Sequence, residues 1–109
     1  MLKIKCPKGF SHEARTLWKA IQEEYQITDP AGLRLLQTVA ECLDQMRAAE
    51  GQVQRDGLMI TNVHGNPMLH PAIRTVKDSR AHMLQALKML NLDLEPLKNV
   101  GRPASGMGV

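Results

Sequence analysis

Apolar positions recur at spacings of three and four in three stretches of this chain, and polar, glycine- and proline-containing segments separate them. The first stretch predicts a helix from about His12 to Tyr25. Ser11 stands where its side-chain oxygen can cap the first free amide groups. Ala14, Leu17, Trp18, Ile21 and Tyr25 then fall on one face of a helix with 3.6 residues per turn. His12, Glu13, Arg15, Lys19 and Glu23 take most of the other face. The second stretch has a sharper start, with Asp29 as cap and Pro30 at the first helical position, where a missing amide hydrogen costs nothing. Leu33, Leu36, Val39 or Ala40, Leu43 and Met46 carry its apolar stripe toward Ala49. Gly32 weakens the opening locally, and either Gly51 or Gly57 ends the helix.

Residues 57–67 break the helical period. Leu58-Met59-Ile60 reads as a short strand or a plug at the core edge, and His64-Gly65-Asn66-Pro67 reads as a turn. A third helix starts between Met68 and Pro71, with Ile73, Val76, Met83, Leu84, Leu87 and Leu90 as its stripe. Beyond Leu92 the period decays through Asp93-Leu94-Glu95-Pro96 and Gly101-Arg102-Pro103, so a flexible C-terminal tail is expected. The pattern therefore predicts an all-α fold: a compact bundle of about three main helices with an irregular or short-strand insert. It divides into a basic N-terminal arm (1–10), a helical domain (11–92) and the tail (93–109).

With 109 residues and 12.1 kDa, the chain fits one domain with a modest core, which self-association would supplement. No apolar run is long enough to span a bilayer, and the N terminus lacks the apolar segment of a secretory signal. Cys6 and Cys42 form neither a close-spaced ligand pair nor a disulfide framework, and Cys42 sits among Val39, Leu43 and Met46 as a reduced core thiol. A cytoplasmic location follows. The net charge of +3 comes wholly from residues 51–109, where seven Lys/Arg face four Asp/Glu; residues 1–50 hold seven of each. Within the third helix, Arg74, Lys77, Arg80 and Lys88 surround a single acid, Asp78, which makes this segment the chain's main nucleic-acid signal.

Catalytic chemistry has no visible carrier. His12, His64, His70 and His82 form neither an HExxH motif nor a Cys/His metal pattern. Glu23 with Glu24 diverge around a helix, and Glu41 with Asp44 reads as a solvated face. Ser11 beside His12 lacks the third, orienting group a nucleophile needs, and no glycine run has the phosphate-loop pattern. Trp18 and Tyr25 lie on an apolar stripe and read as core. Met46, Met83 and Met89 read equally as packing residues or as an adaptable binding face. No enzyme activity, metal or cofactor is expected.

Several of these pieces, in this order, resemble the bacteriophage terminase small subunit family of short helical type. The matching residues are Leu17-Trp18, Tyr25-x-Ile27-Thr28-Asp29, Leu33 and the Leu36-to-Met46 stripe, then Gly57, Gly65-Asn66-Pro67 and Leu84-x-x-Leu87-x-x-Leu90-Asn91-Leu92. The resemblance covers roughly residues 11–96. The chain departs from the family pattern where Asp29 stands slightly early, where Asn91 replaces a usual glycine, and where Leu97-Lys98 follows Pro96. The resemblance implies a packaging adaptor in the cytoplasm of the bacterial host. Such a protein binds double-stranded phage DNA, recruits the large ATPase/nuclease subunit and forms a homo-oligomer, commonly a ring. Arg74, Lys77 and Arg80 are then the first candidate DNA contacts, with Lys3, Lys5, Lys8, Arg15 and Lys19 as a competing patch. Leu36, Leu43 and Met46, with Val76, Met83 and Leu87, are the candidate oligomer contacts unless intrachain packing consumes them. Val100, Gly101, Arg102 and Pro103 are candidates for contacting the large subunit. The rival class is an adaptor or regulatory protein that binds other proteins and no DNA.

Overall fold

A computed structural model describes residues 4–92. Its elements run α1 (His12–Tyr25), α2 (Pro30–Asp56), β1 (Met59–Thr61), β2 (Pro67–Leu69) and α3 (Ala72–Leu90). The result is the expected all-α bundle of three helices, with a short antiparallel hairpin inserted between α2 and α3. Residues 93–109, and with them the expected tail, lie outside the described residues, as does Lys3.

Local chemistry sets the helix ends. Ser11 Oγ accepts the Ala14 N–H at 3.1 Å, and the same hydroxyl donates to the Asp44 carboxylate of α2. The α1 cap is thereby also a tie to α2. At the other end Gln26 turns left-handed at φ 49°, and the Gln22 side chain closes the turn. Its amide donates to the Ile27 carbonyl at 2.7 Å and its oxygen accepts the Ile27 N–H at 3.0 Å. That pair of bonds delivers Ile27 into the core.

Asp29 caps α2 by accepting the Gly32 N–H at 2.8 Å, with Pro30 at the first helical position. The helix runs through Gly51 and stops at Gly57, whose φ of 89° no larger residue adopts cheaply. Gly51 stays helical because a mid-helix glycine costs only about 1 kcal/mol, and buried Ala49 and half-buried Val53 anchor the turn around it. Gly32 has a packing role as well. A Cβ there would stand 2.7 Å from Ile27 Cγ2 and 2.8 Å from an Asp29 carboxylate oxygen.

α2 lies between its two neighbours and packs against both. Its residues Leu36, Val39 and Ala40 are fully buried, followed by Leu43, Met46 and Ala49, while α1 contributes Ala14 and Trp18. The most buried residues of α3 are small: Ala72, Ser79 and Ala86, one every seven residues. On α2, Cys42 and Ala49 repeat the same seven-residue step, and Ala49 shares a groove with Ala72. Small side chains at heptad spacing allow two antiparallel helices to approach closely. The larger residues Val76, Met83 and Leu90 flank this seam and are half-buried against the core. Leu84, expected in the α3 stripe, instead faces outward and is 55% exposed. Two helix positions from the buried Ala86, it lies about 160° around α3 from that residue.

Two substitutions probe this packing. Ala86→Leu is expected to force α2 and α3 apart, and Gly32→Ala to push Ile27 off the α2 start. Each should cost about 1–3 kcal/mol by overpacking, read as a lowered midpoint of thermal unfolding. A wild-type midpoint for Ala86→Leu would refute the close seam.

Candidate nucleic-acid interface

The buried face of α3 is turned toward α2, so at 3.6 residues per turn Arg74, Lys77 and Lys88 fall on the opposite face, within about 60° of one another. All three are exposed. Asp78, one turn after Arg74, is the acid on that face. Arg80 lies at the flank of that face. Its guanidinium turns toward α2 and lies 3.7 Å from the Glu50 carboxylate. Helical geometry groups Lys88 with Arg74 and Lys77 as a third outward cation, while Arg80, about 60° beyond Lys77, is set apart by its contact with Glu50.

Arg80 ends a chain of charges that crosses all three helices. Arg47 of α2 donates through Nε and Nη2 to Glu13 of α1 at 3.0 and 2.9 Å, and through Nη1 to Glu50 at 2.8 Å. The bidentate bond from Arg47 holds the Glu13 carboxyl below its ordinary range, and Glu13 in turn holds the Arg47 proton more tightly. Both side chains are half exposed, so solvent screens the attraction and its value is mainly positional.

The competing basic patch divides between an arm and a helix. Arg15 and Lys19 lie one turn apart on the outer face of α1, where Glu23 follows one turn later. Arg15 also donates to the Phe10 carbonyl at 3.3 Å. Lys5 and Lys8 are exposed on the preceding segment. Of the two aromatic residues of the same helix, Trp18 is 3% exposed and packs in the core, and Tyr25 is half-buried against it.

Leu36, Leu43 and Met46 lie inside the protomer, at 0, 5 and 5% exposure, because α2 must bury that face against α1 and α3. Val76, Met83 and Leu87 are half-buried at the margins of the same core. Intrachain packing uses Leu36, Leu43 and Met46 and draws on Val76 and Met83. The exposed apolar surface sits instead on the hairpin and on Leu84 and Met89 of α3. Val100, Gly101, Arg102 and Pro103 fall outside the described residues.

His70, which carries no metal motif in the sequence, has a structural role. It is buried, with Nε2 2.9 Å from the Asp56 carboxylate. Its Nδ1 accepts the Ala72 N–H at 3.0 Å, so the ring proton belongs on Nε2 and points at Asp56. Its backbone N–H donates to the Leu58 carbonyl at 2.8 Å. One residue therefore joins the end of α2, the base of the hairpin and the start of α3. The only local signal is its position two residues before the helix, next to Pro71.

Among the described residues no three His, Cys, Asp or Glu side chains gather where a metal ion could sit. Cys6 and Cys42 are free thiols, and burial pushes the Cys42 thiol above its ordinary pKa, away from nucleophilic use. A groove of about 670 Å³ at the hairpin end of α2 and α3 is floored by Ala48, Ala49 and Ala72. A second, of about 320 Å³, is bounded by Ile4, Lys5, Trp18, Leu33 and Arg34. No described helix is long and apolar enough to cross a membrane.

Residues 14–104 match the family described as phage terminase, small subunit, which takes in all of α2, the hairpin and α3. The chain belongs to that family. The resemblance carried by Leu17-Trp18, Asp29 and the helix ending at Leu90 is thereby placed on most of the chain. No curated protein and no solved structure matches this terminase small-subunit chain. Within this terminase small subunit the basic outer face of α3 lies entirely inside the family match, whereas Lys5 and Lys8 precede it.

The Glu13–Arg47 bond has a pH signature. Glu13 has a depressed folded pKa, so its contribution to stability is present above the unfolded value and is lost as pH falls through the folded one. Arg47→Gln is expected to return the Glu13 titration upward toward about 4.5, the ordinary glutamate range, as followed by NMR of its side-chain carboxyl. An unchanged Glu13 titration would mean that Arg47 does not hold it in solution.

Proposed function

We propose that this chain is a non-enzymatic DNA-packaging adaptor of the host cytoplasm, which binds double-stranded DNA as a homo-oligomer and recruits the large terminase subunit. The observation that carries this reading is the family match over a helix whose outer face presents Arg74, Lys77 and Lys88 with one acid beside them. Cations spaced along a helix suit the phosphate backbone, which provides affinity and register with little sequence reading. Arg80 supports the same surface from its flank while it is shared with Glu50. Repeating the face around an oligomer, such as a ring, multiplies a modest local charge. Arg15, Lys19, Lys5 and Lys8 form the alternative contact. Glu23 stands one turn after Lys19, and the Arg15 bond to the Phe10 carbonyl occupies one of its donors, which leaves that patch with fewer groups free for phosphate. The segment containing Val100, Gly101, Arg102 and Pro103 is the proposed contact for the large subunit.

Light scattering with and without duplex DNA tests the central claim. A discrete oligomer that gains DNA mass is the expected result, with affinity falling as salt rises. Charge reversal at Arg74 and Lys77 together should weaken binding at least about tenfold, since each lost phosphate contact removes a counterion-release term. The same reversal at Arg15 and Lys19 should change it far less. The opposite ranking would move the interface to α1. A protein that binds the large subunit but gains no DNA mass at low salt would establish the rival adaptor reading.

Truncation after Leu92 separates the partners. Loss of large-subunit binding with DNA binding retained is the expected outcome, and retention of both would remove residues 93–109 from the recruitment contact.

A further inference from the structure

The segment from Gly57 to Leu69 contains no Lys, Arg, Asp or Glu, in a chain where 23% of residues are charged. It folds into the β1–β2 hairpin, pairing Met59 with Leu69, Ile60 with Met68 and Thr61 with Pro67. Every residue of the two strands except Ile60 is exposed. Leu58, Met59, Met68 and Leu69 are 37–56% exposed, and Val63 at the tip is 96% exposed. Two strands alone are marginal in water, and apolar surface concentrated on one projecting element marks an interface.

The hairpin is nevertheless well braced. Asn62 Oδ1 accepts the His64 and Asn66 N–H groups, each at 2.9 Å, and the Asn62 N–H donates to the Asn66 carbonyl at 2.8 Å. His70 fixes the base through its bonds to Leu58, Asp56 and Ala72. An uncovered element held in shape from both ends is ready to dock without an ordering cost.

The two edges differ. Leu58 and Asn62 bond toward β2, so the alternation of an antiparallel ladder turns the N–H and C=O groups of Met59 and Thr61 outward. On β2 the corresponding outward positions are Pro67 and Leu69, and Pro67 has no N–H to give. β1 is therefore the open edge, and it carries none of the charges that normally guard one.

We propose that the hairpin is the contact through which copies of this chain associate, with the β1 edge taking a strand of a neighbouring copy's hairpin. The proposal rests on the homo-oligomer of the preceding reading and names its surface. A second copy fits on two counts. The hairpin holds no charge to complement a charged partner, yet two hairpins meet with no like-charge repulsion. The five exposed side chains carry on the order of 500 Å² of apolar surface per copy, so two such patches approach the roughly 1,000 Å² of a specific interface. Strand addition supplies the register through the Met59 and Thr61 amides, and burial of the apolar side chains supplies the affinity.

The test compares the full chain with Met59→Lys/Leu69→Lys and, separately, with Thr61→Pro, which removes one outward donor and leaves the hairpin's own bonds intact. Mass is measured by light scattering, helix content by circular dichroism, and exchange of the Met59 and Thr61 amides by NMR. Expected is a wild-type oligomer in which the residue-59 amide exchanges at least about tenfold more slowly than in either variant, and the Thr61 amide at least about tenfold more slowly than in Met59→Lys/Leu69→Lys. The variants should keep their helix content and fall to protomer mass at the same concentration. A wild-type oligomer whose mass survives both variants, with those amides still exchanging fast, overturns the hairpin interface and leaves the oligomer reading standing. Variants that stay assembled but lose the large subunit assign the hairpin to that protein instead. A wild-type monomer overturns both readings.

Discussion

The structure depends on covering α2 from two sides. A helix of 27 residues is about 40 Å long and cannot hide its apolar surface in itself. Its buried residues spread from Leu36, Ala40 and Leu43 round to Val39, Cys42, Met46 and Ala49, too wide an arc for one neighbour. α1 covers one part with Ala14 and Trp18, and α3 covers another along Ala72, Ser79 and Ala86. These two contacts dictate which side of each outer helix is left for solvent, and hence which charges face outward.

The polar ties follow the same division. Ser11 reaches Asp44, and Arg47 reaches both Glu13 and Glu50, so the cap and the charges of α1 are registered on α2. Arg80 closes the series from α3. Such exposed pairs contribute little stability individually, but they commit Arg80 and Arg47 to structure. Arg74, Lys77 and Lys88, on the far side of α3, have no ion pair among the described residues. That difference, more than the number of cations, separates a free basic face from a bracing one.

The hairpin is the complement of the bundle. Helices place their charges in water and their apolar residues inside, whereas β1 and β2 carry no charge and expose most of their side chains. His70 and Asn62 give the segment a defined shape by meeting backbone groups that no helix serves. In a protein built from the phage terminase small-subunit plan, the uncharged, exposed surface and the basic surface thus lie on different elements of one small chain.

Local rules were legible directly. Ser11 and Asp29-Pro30 mark helix starts through capping and fixed φ, decided by neighbours within a few residues, whereas the sequence left the end of α2 open between Gly51 and Gly57. The α1 and α2 stripes followed from period alone, and so did the broken segment that became a hairpin. Facing was legible only in part. Hydrophobicity placed Leu84 in the α3 stripe, while packing buried Ala72, Ser79 and Ala86, because close helix approach selects for small volume. The grouping of Arg74, Lys77 and Arg80 read correctly as a basic helix, but Glu50, thirty residues earlier, drew Arg80 aside. His70 gave little local sign beyond its place before Pro71, since its partners Asp56, Leu58 and Ala72 meet only when the hairpin closes. The sequence by itself determined the elements and the charge they carry. Tertiary structure decided which residues share a face, because that depends on contacts between segments far apart in the chain.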